Sequence, residues 1–380
     1  MTTIKKLFSE KKHSGNLHKP DYWLILIIFI LIAIGILMIS SASVVIAKSI
    51  FKDSFYFLKK HLLIVALGII IFFIIQKIDY HFLEKWAPTM MLISLILLIA
   101  VFIPGLSIKS GGATRWVRLG PLSIQPTEIL KIAFIAYLAS WLEKKGKGIR
   151  NFSYGLLPFL IMLGFISILV IKQPDLGTLF VLASTAGIMF FVAGAAISQI
   201  IFGASMAGLV FWEFIRTANY RMARFMVFLN PSQDIKGAAY HINQALLAIG
   251  SGGLWGRGFN ESRQKYFYLP EPFTDSIFAI ISEEMGFLFS ATIVVLFLIF
   301  AWRAFKIAKN APDIFGRLLA TGITCWIVLQ AFINIGTMIS ILPMTGIPLP
   351  LISYGGSSFI STMFALGVLI NISKKTVRQN

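Results

Sequence analysis

Long uninterrupted apolar blocks are the feature that most constrains this chain. Tyr22–Ile39 contains no charged residue, and comparable blocks recur along most of the sequence. A run of about 18 or more apolar residues is long enough to cross the hydrocarbon core of a bilayer as a helix. The sequence therefore predicts an all-α, polytopic integral membrane protein.

We predict about ten transmembrane helices, because each crossing needs about 20 residues. The spans are placed at 22–45, 61–77, 87–104, 127–142, 154–171, 175–195, 197–215, 276–302, 316–340 and 351–372. Residues 22–372 then form a single membrane domain between two tails, 1–21 and 373–380. Its one large loop, 216–275, joins the seventh and eighth helices.

Positive charge lies mainly in the gaps between the apolar blocks. The chain has 34 Lys and Arg against 16 Asp and Glu, which in a soluble protein would indicate nucleic-acid binding. With the N-terminus in the cytoplasm, the inner segments hold 18 basic residues and the short outer loops hold seven. Because basic residues accumulate on the cytoplasmic side, we predict both termini inside, loop 216–275 outside, and no nucleic-acid partner.

Several common classes of site find no support in the sequence. Cys325 is the only cysteine, so an intrachain disulfide is excluded. The five histidines lack metal-ligand spacing, and the glycine-rich stretch Gly250–Gly258 lacks the strand-turn-helix setting of a dinucleotide site.

The outer loop 216–275 is too long to be a simple connection, and such loops are usually functional or disordered. Tyr240–Gly250 has helical spacing of its apolar residues, which predicts an amphipathic helix carrying Gln244. This helix could cover apolar side chains or form part of a substrate groove. Basic residues flank it on both sides, at Arg216, Arg221, Arg224, Arg257, Arg263 and Lys265. Arginine clusters suit phosphate recognition, and anionic lipid headgroups are the alternative partner.

Asp275 ends this loop, where the chain enters the next apolar span. An Asp at this position is most often a helix N-cap, and the residues alone favour that interpretation. The alternative is a general base at a cleft in the membrane surface. Glu271 lies four residues earlier.

Glu128 and Lys131 are unusual because they lie at the start of an apolar helix, three residues apart and on one face. Ionisable residues within spans often mark functional sites, and a structural ion pair is the alternative. Asp175 begins another helix and is either its cap or a partner for Lys131.

The segment Pro343–Pro350 cannot be a regular helix. The hydroxyl groups that follow it, including that of Ser353, could bind a polar ligand or satisfy the freed backbone.

Taken in order, these segments resemble the SEDS family (shape, elongation, division and sporulation). The resemblance rests on Gly112–Trp116 with Gln125–Lys131, on Gln173–Thr178, on Tyr220–Pro231, on Tyr240–Gly258, on Tyr268–Ala279 and on Leu349–Ser358. It implies a peptidoglycan glycosyltransferase that polymerises lipid II, a disaccharide-pentapeptide on undecaprenyl pyrophosphate, at the outer face of the bacterial cytoplasmic membrane. Asp275 matches the essential acidic residue of the family, which reverses the preference for a cap.

The resemblance also implies a mechanism and a set of site residues. Asp275 would take the proton from the acceptor hydroxyl, which attacks the anomeric carbon of the donor with inversion. We expect Arg115, Arg221 and Arg224 to neutralise the leaving pyrophosphate. Three further side chains are predicted to contact substrate, namely Gln244, Lys265 and Ser353. A supporting polar network is predicted from Glu128, Lys131, Asp175 and Glu271. A divalent cation, Mg²⁺ or Mn²⁺, could assist at the pyrophosphate, although the sequence shows no carboxylate cage.

Within the family, Thr345-Gly346 and the ending Asn371–Ser373 resemble the division type, FtsW, more than RodA. This implies work at the septum with a class B penicillin-binding transpeptidase, other divisome proteins and membrane lipids. Ser276 departs from the bulky apolar residue of many members and should alter packing beside Asp275. Two other functions remain open: a lipid II flippase, and a non-catalytic scaffold for the transpeptidase.

Overall fold

The computed structural model describes residues 19–110, 113–119, 122–216, 222, 226–228 and 239–376. The helices are α1 Tyr22–Ala42, α2 Val44–Phe51, α3 Tyr56–Ile75, α4 His81–Ala100, α5 Pro126–Lys145, α6 Leu157–Ile171, α7 Leu176–Val192, α8 Ile197–Arg216, α9 Tyr240–Gly252, α10 Ile277–Lys309, α11 Ile314–Met338 and α12 Gly356–Ser373. Each predicted span corresponds to one of them. The mainly helical, polytopic membrane fold is thereby confirmed.

Among the described residues, seven helices are long and apolar enough to cross a membrane, when α6 is extended by the π-helical turn Phe152–Leu156 that precedes it. Helices α7 and α8 are shorter apolar helices. The remaining predicted span, α5, contains the ionisable pair Glu128 and Lys131. The exact number of crossings, their orientation and the division into domain and tails remain predictions.

Helix α11 lies at the centre of the bundle. Within the apolar part of this helix, 83% of the residues are buried, against 22% for α3 at the periphery. It contacts α5, α7, α10 and α12, so several segments that bear polar residues can meet beside it. The helices at the periphery of the bundle expose large apolar side chains such as Leu63, Ile96 and Ile168, as expected for lipid-facing surfaces.

A small antiparallel sheet precedes α5, which the sequence analysis did not predict. Its strands are β1 Ser107–Ser110, β2 Ala113–Leu119 and β3 Leu122–Ile124, in the order β1-β2-β3. These strands contain three to seven residues, so a search based on the length of apolar blocks does not register them. The sheet places Arg115 and Trp116 of β2 at the wall of a cavity.

The end of the outer loop is attached to α10 through a break in that helix. Gly286 has φ +80 inside α10, and a Cβ there would lie 2.3 Å from the backbone nitrogen of Gly256. The released backbone groups bind the loop instead, since Phe287 N donates to Gly253 O at 2.9 Å and Arg257 N donates to Glu283 O at 3.0 Å. The loop after α9 is therefore fixed against the first half of α10.

The predicted amphipathic helix is α9, and its buried side is formed by Ile242, Ala245, Ala248 and Gly252. It packs against α10. A Cβ on Gly252 would lie 1.9 Å from the carbonyl oxygen of Ser282, so the two backbones come into direct contact. The helix is thus part of the bundle.

Candidate functional site

A polar cavity of about 460 Å³ lies between the sheet, the first turns of α5, α7 and α9, and the loop that leads into α10. The irregular segment before α12 closes its other side. The polar lining comprises Arg115, Trp116, Gln125, Glu128, Lys131, Asp175, Thr178, His241, Glu271, Thr274, Asp275, Gln330, Thr345, Tyr354 and Ser358. Six residues selected from the sequence therefore meet here: Arg115, Glu128, Lys131, Asp175, Glu271 and Asp275.

Asp275 is half-buried on the loop that enters α10. Its carboxylate receives no hydrogen bond from the described residues, whereas its backbone carbonyl accepts one from Asn334 Nδ2 at 2.7 Å. The N-cap position of α10 is Ser276, and no side chain caps it. The capping interpretation of Asp275 is therefore wrong, and its carboxylate remains open to a ligand. Gly346, with φ +69, allows the opposite wall to approach, since a Cβ there would lie 3.3 Å from Asp275 Oδ2.

The surroundings of Asp275 make it a stronger base than an ordinary aspartate. Burial raises the pKa of its carboxyl to about 7, and the charges of Glu271 and Asp175 add to the rise, while Arg115 opposes it. Such a group is partly ionised near neutral pH and can accept a proton from a hydroxyl.

Glu128 and Lys131 form the predicted pair, with 2.9 Å between Lys131 Nζ and Glu128 Oε1. Lys131 also donates to Gln330 Oε1 at 2.9 Å, and Glu128 accepts from Ser361 Oγ at 2.7 Å. The Lys131 ammonium lies 4.6 Å from the centre of the Trp326 ring. Because both charges are buried and hydrogen-bonded, the pair can hold α5, α11 and α12 in fixed positions.

Asp175 is a helix cap, as one of the two interpretations predicted. Its carboxylate accepts from Thr178 N at 3.2 Å and from Thr178 Oγ1 at 2.9 Å at the start of α7. The alternative, a bond to Lys131, is not formed. Arg115 donates from Nε to Gln173 O at 3.2 Å and from a terminal nitrogen to Pro174 O. It therefore joins the sheet to the turn before α7.

Three predicted substrate contacts lie elsewhere. Lys265 is buried with its Nζ 3.1 Å from Glu284 Oε1, so its charge is already used inside the protein. Ser353 is buried and its hydroxyl accepts from Leu349 N at 2.8 Å, stabilising the turn before α12. Gln244 is half-buried on α9 and is not part of the cavity wall. Arg221 and Arg224 lie outside the described residues.

The polar residues at or near the cavity that were not predicted include His241, Gln330 and Asn334. Gln330 and Asn334 are four residues apart on one face of α11, and amides inside an apolar span are a signal that could have found them. Asn334 Nδ2 donates to both Asp275 O and Ile347 O, each at 2.7 Å. It thereby joins the loop carrying Asp275 to the irregular segment.

Asn334→Leu should remove both bonds. Any activity that depends on the position of Asp275 should then fall by about tenfold, because displacement of a group by even 1 Å is costly where that group reacts. The loss should exceed that of Thr337→Val, one turn further along α11, where the hydroxyl binds only Asn334 O of its own helix. Turnover rates of the two purified variants would decide this. Equal rates would show that Asn334 does not fix the position of Asp275.

The described residues bring no group of three His, Cys, Asp or Glu side chains together as a metal site.

The fold and the cavity define a polytopic membrane protein with a carboxylate, that of Asp275, at a polar cavity. The FtsW/RodA/SpoVE model of cell cycle proteins matches residues 22–378, and the chain belongs to this family.

Curated relatives and solved structures agree with that assignment. Stage V sporulation protein E of Bacillus subtilis is 43% identical over 93% of this chain and 97% of its own length. A protein of Trichlorobacter lovleyi named probable peptidoglycan glycosyltransferase FtsW is 41% identical, with 94% of each chain covered. A chain of a solved peptidoglycan synthase complex is 26% identical with a TM-score of 0.76, covering 93% of this chain and 97% of that one. RodA of Thermus thermophilus is 25% identical with a TM-score of 0.68, covering 96% and 100%.

Proposed function

We propose that the protein polymerises lipid II into glycan strands at the outer face of the membrane, with Asp275 as general base. By its family and its named relatives the chain is a peptidoglycan glycosyltransferase. The observation that supports the proposed site is a half-buried carboxylate with a pKa of about 7, free of hydrogen bonds from the described residues and facing a polar cavity.

The proposed step is a single displacement at the anomeric carbon of the donor sugar. Asp275 accepts the proton of the acceptor hydroxyl, whose oxygen forms the new bond to that carbon. The bond from the carbon to the pyrophosphate oxygen breaks, and undecaprenyl pyrophosphate leaves with the electron pair. Attack from the face opposite the leaving group inverts the configuration. A general base of this kind contributes about 10²–10⁴-fold.

The charges of the described lining favour a sugar over a phosphate beside Asp275. The lining holds four carboxylates, those of Glu128, Asp175, Glu271 and Asp275, against the two cations Lys131 and Arg115. Lys131 is paired with Glu128, which leaves Arg115 as the cation that is not paired with a carboxylate in this lining. A pyrophosphate needs cations that are not neutralised by the protein. We therefore place the acceptor hydroxyl here, and the neutralisation of the pyrophosphate by Arg221 and Arg224 remains a prediction.

The proposed setting follows the relatives. The chain is a multi-pass membrane protein, and we infer that it acts in the bacterial cytoplasmic membrane with its cavity outward. The solved synthase complex coordinates polymerization and crosslinking, which supports a transpeptidase partner for this chain. Both a sporulation protein and FtsW proteins are similar to it, so work at the division septum remains a proposal.

The full-length protein, purified in detergent and supplied with labelled lipid II, should produce glycan strands, with a greater yield when a class B transpeptidase is present. Detergent micelles have no compartments, so a transporter would leave the substrate unchanged in length. Gel separation of the labelled products measures the outcome. If no strand forms even with a transpeptidase of proven competence, polymerisation is not the function. Transport of lipid II across vesicles would then test the flippase, whose support is the buried Glu128–Lys131 pair.

A further inference from the structure

His241 is a titratable residue of the cavity wall that the proposed mechanism does not use. It lies in the first turn of α9, half-buried, and lines the same cavity as Asp275. Its Nε2 is 2.7 Å from Oγ of Ser276, the residue that directly follows Asp275. The outer-loop helix thus touches the backbone segment that carries the base.

The direction of this hydrogen bond follows from the second contact of the serine. Ser276 Oγ donates to Pro270 O at 2.9 Å. A hydroxyl has one proton to donate and can accept two further bonds. Since that proton is directed at Pro270, His241 Nε2 must carry a hydrogen and donate it to Ser276. The result is a short chain of bonds from His241 through Ser276 to Pro270.

This chain of bonds restrains the loop that holds the base. Ser276 is fully buried, and its amide donates to Glu271 O at 3.1 Å, which closes a tight loop around Asp275. The carboxylate itself receives no hydrogen bond from the described residues, so its direction depends on how its backbone is held. Asn334 restrains that backbone from α11, and His241 restrains it from α9.

We propose that His241 is a positioning residue, which orients Asp275 through the hydroxyl of Ser276 and couples the outer-loop helix α9 to the base. This inference rests on the proposed function, since the effect of positioning is measured as glycosyl transfer. Ser276 then has a specific partner, which accounts for a small polar residue at a buried position beside the base.

The test compares His241→Leu, Ser276→Ala and the double variant in the labelled lipid II assay. Each single change should lower kcat about tenfold with KM nearly unchanged, because the bond orients the base and does not bind substrate. The double variant should lose no more than either single one, because both changes break the same bond. His241→Gln should recover most of the rate, since its amide nitrogen lies the same number of bonds from Cβ as His241 Nε2 and can donate.

Ser251→Ala is the matched control, because this serine lies on α9 and its hydroxyl binds Ala248 O of the same helix. It should leave kcat unchanged. Additive losses in the double variant, or a His241→Gln enzyme as slow as His241→Leu, would overturn the inference. If either single variant fails to fold, the comparison of His241→Gln with the other single variant still decides it. A further outcome separates this inference from the proposed function. If the wild type is active and Asp275→Asn is not, while His241→Leu and Ser276→Ala are as fast as the wild type, then this inference alone is refuted. A wild type with no activity would instead refute the proposed function.

Discussion

Asp275→Asn should lower the rate of glycan polymerisation by about 10²–10⁴-fold while the protein remains folded. The amide has nearly the shape of the carboxylate but cannot accept the proton of a hydroxyl. The backbone carbonyl that binds Asn334 is unchanged, so the loop should keep its position. Rates measured with labelled lipid II at saturating substrate would check this, with thermal unfolding as the control for folding. A variant as fast as the wild type would place the base elsewhere.

The pH profile offers a second measurement of the same role. Since the base must be deprotonated and its pKa is raised to about 7, the rate should rise with pH up to about 7 and fall roughly tenfold per unit below it. Glu271→Gln removes a charge that raises this pKa, so the profile should move to lower pH. Glu261→Gln, an exposed change in the same loop, should leave it in place. A profile that does not respond to Glu271→Gln would contradict the assignment of Asp275.

Lys265→Met should destabilise the protein by about 3–5 kcal/mol, because it leaves a buried carboxylate without its counter-charge. The side chains of Lys265 and Glu284 are 1% and 0% exposed, and Lys265 Nζ also donates to Ser41 Oγ at 3.1 Å and to Asn260 O at 2.7 Å. This cluster joins the outer loop to α1 and α10. Thermal unfolding of the full-length protein in detergent would measure the loss.

The double variant Lys265→Met/Glu284→Gln should recover much of that stability, because it removes the unpaired charge. Lys59→Met is the matched control, since Lys59 and Asp53 form an exposed pair at 2.8 Å. Exposed pairs contribute little, so its unfolding midpoint should not change measurably. Equal midpoints for Lys265→Met and Lys59→Met would show that the buried cluster does not stabilise the loop.

The sequence predicted the helices well because crossing a bilayer imposes a length and a composition that can be read locally. It also identified Glu128, Lys131 and Asp175, since polar residues at helix starts stand out against apolar surroundings. The sheet over residues 107–124 was not predicted, because its short strands are stabilised by their pairing with one another and not by a local sequence pattern. Lys265 was assigned to substrate because a basic residue in an outer loop looks available. Only the folded chain brings Glu284, in another element, against it.

The bonds that position Asp275 show the same limit. His241 and Ser276 are 35 residues apart, and Asn334 lies 59 residues from Asp275. No local pattern connects such pairs. A search for amides within apolar spans would have found Asn334. The contact of His241 with Ser276 is formed only when α9 packs against α10, so the sequence alone does not reveal it.

The start of the first helix, α1, is hydrogen-bonded to the end of the last helix, α12. Asp21, just before α1, donates from its amide to Ser373 Oγ at the end of α12 at 3.3 Å, and its carboxylate accepts from Arg303 at 2.7 Å. From Asp21 to Ser373, the described part of the chain therefore nearly closes on itself in three dimensions. A short peptide connecting the ends would cost little loop-closure entropy. The chain could then be reopened in the short 3₁₀ helix Gly146–Arg150, which would give a circular permutant with the same helices around the same cavity.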